Sequence, residues 1–98
     1  MPTYISLMNL SEQGVKEAKC APERLRTFEA ALEEAGGKLL GFYLVMGQYD
    51  YIVVIEAPDD QTAAHLILKT LAHGSLRIQT MRAFPREEFE LISHGLGF

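Results

Sequence analysis

The chain has no tryptophan and a single cysteine, Cys20. No disulfide can form within it, and neither a C-x-x-C pair nor a zinc knuckle is available. No stretch approaches the ~20 apolar residues that a membrane span needs. The opening MPTYISLMNL carries no basic n-region and no long apolar core, so it does not read as a signal peptide. Basic patches are missing too, because Lys and Arg are scattered singly between Lys16 and Arg86 and the formal net charge is −4. Binding to a phosphate backbone demands clustered positive charge, so nucleic acid is not an expected partner. Together these absences predict a reduced, cytoplasmic protein with no membrane partner.

What is there is ample apolar material: 48% of 98 residues. That length suits one domain spanning 1–98, which buries roughly 60–65% of the surface its unfolded chain exposes. TYISLMNL, Thr3 to Leu10, is rich in β-branched and aromatic residues and reads as a first strand. Ser11 offers an N-cap to a helical piece running to about Cys20. Pro22 cannot sit inside an unbroken helix, so a break or bend is predicted between Cys20 and Glu23. The next helix carries Leu25, Phe28, Leu32 and Ala35 on one stripe and ends at Gly36-Gly37. KLLGFYLVM and YDYIVVIEA read as a hairpin around Gly47-Gln48. Pro58 stops the second of these strands, and Asp59 or Asp60 caps a helix whose predicted apolar face is Ala63/Ala64, Ile67, Leu68 and Leu71. SLRIQTMRAF is a fourth strand, and Pro85 begins a short last helix.

The order β-α-β-β-α-β plus a C-terminal helix is the ferredoxin-like split βαβ arrangement, an α+β fold. It predicts one antiparallel sheet in spatial order 4-1-3-2 with both long helices on one face. An even-length hairpin loop sets the parity of the two middle strands. Leu40, Phe42, Leu44, Met46, Tyr51, Val53 and Ile55 are expected to face the helices. Leu39, Gly41, Tyr43, Val45, Asp50, Ile52, Val54 and Glu56 are expected on the other face, joined by Tyr4, Ser6 and Met8 and by Arg77, Gln79 and Met81. Open antiparallel faces in water are mostly polar, and this one is not. An apolar patch of that size marks an interface or a ligand groove, so two sheets packed face to face, as a homodimer or higher even oligomer, are expected.

LSEQGVKEAK, PERL, AGGKLLGFY and GQYDYIVVIEAPDD resemble the GYD domain family, and the similarity covers nearly the whole chain. The name-giving pattern is met by Gly47, Tyr49 and Asp50. The resemblance implies small bacterial proteins akin to the dimeric α/β-barrel group. It carries no established activity, since the wider group includes monooxygenases, isomerases and effector-binding domains.

Candidate chemistry centres on Tyr49-Asp50. Asp50 can accept backbone N–H bonds and steady the turn while Tyr49 caps the sheet edge. Alternatively, Asp50 anchors a ligand or takes a proton in a pocket with Tyr43, where Gly41 leaves room or marks a bulge. The expected lining is Tyr43, Tyr49, Asp50, Tyr4 and Met81. His65 and His73 lie eight apart on one helix, which is not metal-pair spacing, and His94 lies near the terminus; surface or capping roles are expected for all three. Cys20 is expected to be a buried or idle thiol. No metal or cofactor is expected. The leading functional expectation is a homo-oligomeric regulatory or small-molecule-binding module with a cavity between the sheets. The alternatives are a cofactor-free isomerase- or monooxygenase-like enzyme and a purely structural assembly protein.

Overall fold

In the computed structural model, which describes residues 1–96, the chain runs β1 (Thr3–Leu10), α1 (Glu12–Lys16), a 3₁₀ turn (Ala18–Cys20), α2 (Ala21–Glu34), β2 (Lys38–Leu44), β3 (Tyr51–Glu56), α3 (Asp60–Leu71), β4 (Leu76–Ala83) and α4 (Arg86–Ser93). The four strands form one antiparallel sheet in the order β2-β3-β1-β4. This is the ferredoxin-like α+β fold.

Local chemistry explains the joints. Ser11 Oγ accepts from the Gly14 N–H and donates to the Gly74 carbonyl, so one hydroxyl caps α1 and ties it to the chain entering β4. Pro22 sits in the first turn of α2, where its missing N–H has no helical partner to lose. The helical run is broken, as the proline predicts, but the break falls in the 3₁₀ turn at Ala18–Cys20, ahead of the expected window from Cys20 to Glu23. Asp59 caps α3 by accepting from the Thr62 N–H at 2.8 Å. That bond, together with the Thr62 side chain, holds the Asp59 carboxyl below its ordinary pKa.

The core lies between the sheet and α2 and α3. Tyr4, Met8, Val53 and Ile55 of the sheet are buried beneath Leu32, Ala63 and Leu66 of the helices. Three face assignments made from the pattern need correcting. First, Tyr4, Ser6 and Met8 lie on the helix side: they stand opposite Ile55, Val53 and Tyr51, and all three are buried. Ile5 and Leu7, opposite Val54 and Ile52, take the open face instead. β1 is apolar at both parities, so hydropathy alone could not choose. Second, the β2–β3 register slips between Leu39 and Gly41. This β-bulge leaves Leu40 as the extra residue, sends Leu39 into the core and exposes Leu40 at 45%. Below the bulge the expected parity holds, with Phe42 opposite Val53 and Leu44 opposite Tyr51. Third, α3 buries Ala63 and Leu66, while Leu68 is exposed. Apolar side chains surround that helix, which blurs its stripe.

Candidate functional site

The open face presents Ile5 and Leu7 from β1, Tyr43 from β2, Ile52 and Val54 from β3, and Gln79 and Met81 from β4, placed there by the cross-strand register. Val45 follows β2 at its end. Tyr43 is 58% exposed and Met81 41%. Gly41 precedes Tyr43 by two residues on the same face. A Cβ at Gly41 would lie 3.0 Å from Tyr43 Cε2, so the glycine makes room for the tyrosine's own ring.

The loop that carries the G-x-Y-D pattern connects β2 to β3. The Val45 N–H donates to the Asp50 carbonyl at 2.9 Å, closing a loop of four residues, Met46 to Tyr49. Gly47 has φ +143°, a backbone conformation that L side chains rarely adopt, which is why glycine opens the pattern. Met46, which the parity placed under the helices, is in this loop and 100% exposed.

Asp50 fastens the loop to its neighbour. Its N–H donates to the Met8 carbonyl at 2.8 Å, and its Oδ2 accepts from the Leu10 N–H at 2.9 Å. Asn9 Nδ2 donates to the Gln48 carbonyl at 2.9 Å. The Tyr49 hydroxyl donates to Gln79 Oε1 on β4 at 3.3 Å. Tyr49 thus reaches over β1 to the far strand, along the open face. Asp50 extends the β1–β3 pairing past the last paired strand residues, and its carboxylate takes up a backbone donor at the end of β1. The pattern works as a clamp of loop on sheet. Sequence reasoning anticipated the backbone donor for Asp50 but placed it in the turn rather than on β1.

Among the proposed lining residues, Tyr43, Tyr49 and Met81 belong to the open face. Asp50 sits at its end, with one oxygen committed. Tyr4 does not belong there. It is buried on the helix side, where its hydroxyl donates to Asp60 Oδ1. Burial, reinforced by that bond and by the Asp60 charge, pushes the Tyr4 phenol up to about 12. Arg82 Cζ lies 5.8 Å from the Tyr4 ring centre and 4.5 Å from that of Phe84. This Tyr4–Asp60–Arg82 cluster went unnoticed in the sequence, because its members are far apart along the chain and only the register assembles them.

The histidines lie at the surface, and the Cys20 thiol is free and exposed rather than buried. Among the described residues no group of three or more His, Cys, Asp or Glu side chains is placed to hold a metal ion, and no helix is long and apolar enough to cross a membrane. Phe84, Phe89, Leu91 and Ile92, at and along α4, are exposed in the single chain.

Comparison with known proteins accords with this architecture. The GYD domain matches residues 4–92. A relative from Thermus thermophilus, the glutamine synthetase and cystathionine beta-lyase binding protein, is 35% identical over 86 residues, covering 87% of this chain and 90% of that protein. Among solved structures, FFRP-DM1 superposes with a TM-score of 0.59 at 22% identity, covering 86% of this chain and 100% of its own. TTHA0845, also from Thermus thermophilus, superposes with a TM-score of 0.53 at 19% identity, covering 86% and 94%. At those identities the structural likeness concerns the fold alone. The match over residues 4–92, and a relative similar along nearly its whole length, establish that this chain belongs to the GYD domain family.

Proposed function

We propose that this chain is a self-associating binding module that pairs through its open sheet face and regulates other proteins by docking on them. One observation carries this: the open face is built from Ile5, Leu7, Tyr43, Ile52, Val54 and Met81, where a solvated face would be polar. A second copy of the same face is a self-complementary partner, since a two-fold pairing sets the same patch against itself. A standard interface buries about 800 Å² per partner. The exposed side chains of α4, Phe89, Leu91 and Ile92, supply further apolar area to such an assembly.

In this assembly Tyr43, Tyr49 and Met81 line the space between the sheets, with Asp50 at its end and Tyr4 excluded. The similar Thermus protein is named for binding glutamine synthetase and cystathionine beta-lyase, and enzymes of those two kinds are the partners we assign to this chain. The clamped Asp50 carboxylate favours binding over acid–base catalysis, which needs a free group within hydrogen-bond reach of the substrate.

Light scattering at micromolar concentration tests self-association. A dimer or an even multiple is expected for the wild type, and a monomer for Ile52→Glu; a monomeric wild type removes the face-to-face assembly. Biosensor titration of the wild type against purified glutamine synthetase and cystathionine beta-lyase tests the partners. Saturable binding to at least one supports the assignment, and binding to neither overturns it.

A further inference from the structure

The helix side of the sheet holds a cleft that the proposed function does not use. It opens between α2 and α3 and encloses about 430 Å³. That volume lies within the ~300–1,000 Å³ typical of small-molecule pockets. Its floor is apolar: Met8, Phe42, Tyr51, Val53, Leu66 and Leu76. Phe42 and Tyr51 present a tilted aromatic pair, with ring centres 5.2 Å apart.

Its rim is polar and unevenly charged. Glu17 and Arg24 line it but answer each other across a 2.6 Å salt bridge, and Arg24 also donates to Ser75 Oγ. The bonds from Gln13 and then Arg24 hold the Glu17 carboxyl below its ordinary pKa, so it stays an anion bound to its partners. Glu23 lines the rim from α2. Lys69 on α3 and His73, two residues past the end of that helix, both line the cleft. Neither side chain forms an ion pair within 4.0 Å among the described residues. The N-terminus of α2, at Ala21, meets the same rim, where the Ala21 N–H is taken up by the Ala18 carbonyl and Pro22 has none to offer.

We propose that this α2–α3 cleft is a binding site for a small carboxylate with an apolar body. The body lies on Met8, Phe42, Tyr51 and Leu66, and the carboxylate reaches Lys69. A dry floor with a few convergent polar groups at its mouth is the general form of such a site. This inference is independent of the self-association proposed above, because the cleft lies on the opposite side of the sheet from the open face.

The methionines make the test direct, since Met8 lines the cleft, Met81 lies on the open face and Met46 is in the β2–β3 loop. The full-length protein, labelled at its methionine methyl groups, is titrated with decanoate, decanol and decyltrimethylammonium, which share a tail and differ in head. Decanoate is expected to bind about tenfold more tightly than decanol, the equivalent of one charge-assisted contact of ~1.4 kcal/mol. The Met8 methyl signal should move and that of Met81 should not. Lys69→Ala, at an exposed position that leaves the core intact, should abolish the preference for decanoate while decanol binding persists. Ala31→Phe, which fills the cleft from α2, should weaken both probes. Equal affinity for all three heads, shifts centred on Met81, or a Lys69→Ala variant that keeps the preference would each overturn the proposal, as would the absence of any Met8 shift at millimolar decanoate.

Discussion

Tyr4, Ser6 and Met8 alternate along β1 with Ile5, Leu7 and Asn9, and the two sets meet different surroundings. Tyr4, Ser6 and Met8 are buried under α2 and α3. Ile5, Leu7 and Asn9 point out from a face that no helix among the described residues covers. On the helix side apolar residues are matched by helical ones, and the buried polar groups are answered: Ser6 and Thr80 share a 2.8 Å hydrogen bond, and Tyr4 meets Asp60. On the open side the apolar residues have no such match, and the polar contacts run along the edge, through Asn9, Tyr49, Asp50 and Gln79. The helix side thus holds the fold together, while the open side leaves apolar surface uncovered in the single chain, the surface through which self-association is proposed.

The sharpest way to break that contrast is a pair of leucine truncations. Leu32 is fully buried in α2, at 0% exposure. Leu32→Ala is expected to lose ~2–5 kcal/mol, because little can collapse into the space it leaves. Leu40 is exposed at the bulge. Leu40→Ala is expected to stay within ~0.5 kcal/mol, as exposed substitutions do. Urea titrations of the two variants measure both values; comparable losses would mean that Leu40, not Leu39, points into the core.

Next in size is Asp50→Ala. It orphans the Leu10 N–H at the end of β1 and loosens the β2–β3 loop. A loss of about 1–3 kcal/mol is expected, the usual cost of leaving a part-buried donor without its acceptor. Asp50→Asn keeps an oxygen in place and should recover most of it. If both variants melt like the wild type, the clamp adds nothing to stability and Asp50 becomes a candidate for ligand contact.

Much of this was legible in the sequence, and what escaped has physical causes. The order of elements, the break before Pro22 and an acidic cap at Asp59 or Asp60, which the structure gives to Asp59, followed from local chemistry, because proline and capping residues act on their immediate neighbours. The faces of β1 did not follow, because Tyr4 and Met8 are no more apolar than Ile5 and Leu7. The bulge at Leu40 was equally hidden. Leu39 and Leu40 are identical, so slipping the register by one residue leaves the pattern unchanged. The α2–α3 cleft was invisible for a further reason. Its lining comes from both long helices and all four strands, and its depth depends on how far apart the helices sit, which no periodicity records.

The smallest expected effect concerns Tyr4, and it is confined to alkaline pH. The Tyr4 phenol is pushed from its ordinary 10.0 up to about 12, chiefly by burial and then by the bond to Asp60. The folded protein therefore keeps this proton over a range in which the unfolded chain gives it up. Stability from the neutral phenol is fully present below pH 10 and is lost as pH rises towards 12. Tyr4→Phe removes the titrating hydroxyl and frees Asp60. At neutral pH it should cost about 1 kcal/mol for the lost hydrogen bond. Between pH 10 and 12 the wild type should then lose stability faster than the variant, and the gap between them should narrow. Denaturant midpoints for both proteins across that range measure this directly. Were Tyr4 on the open face, its phenol would titrate near its ordinary value in both states and the gap would stay constant with pH. A constant gap would therefore return Tyr4 to the surface and undo the assignment of β1's two faces.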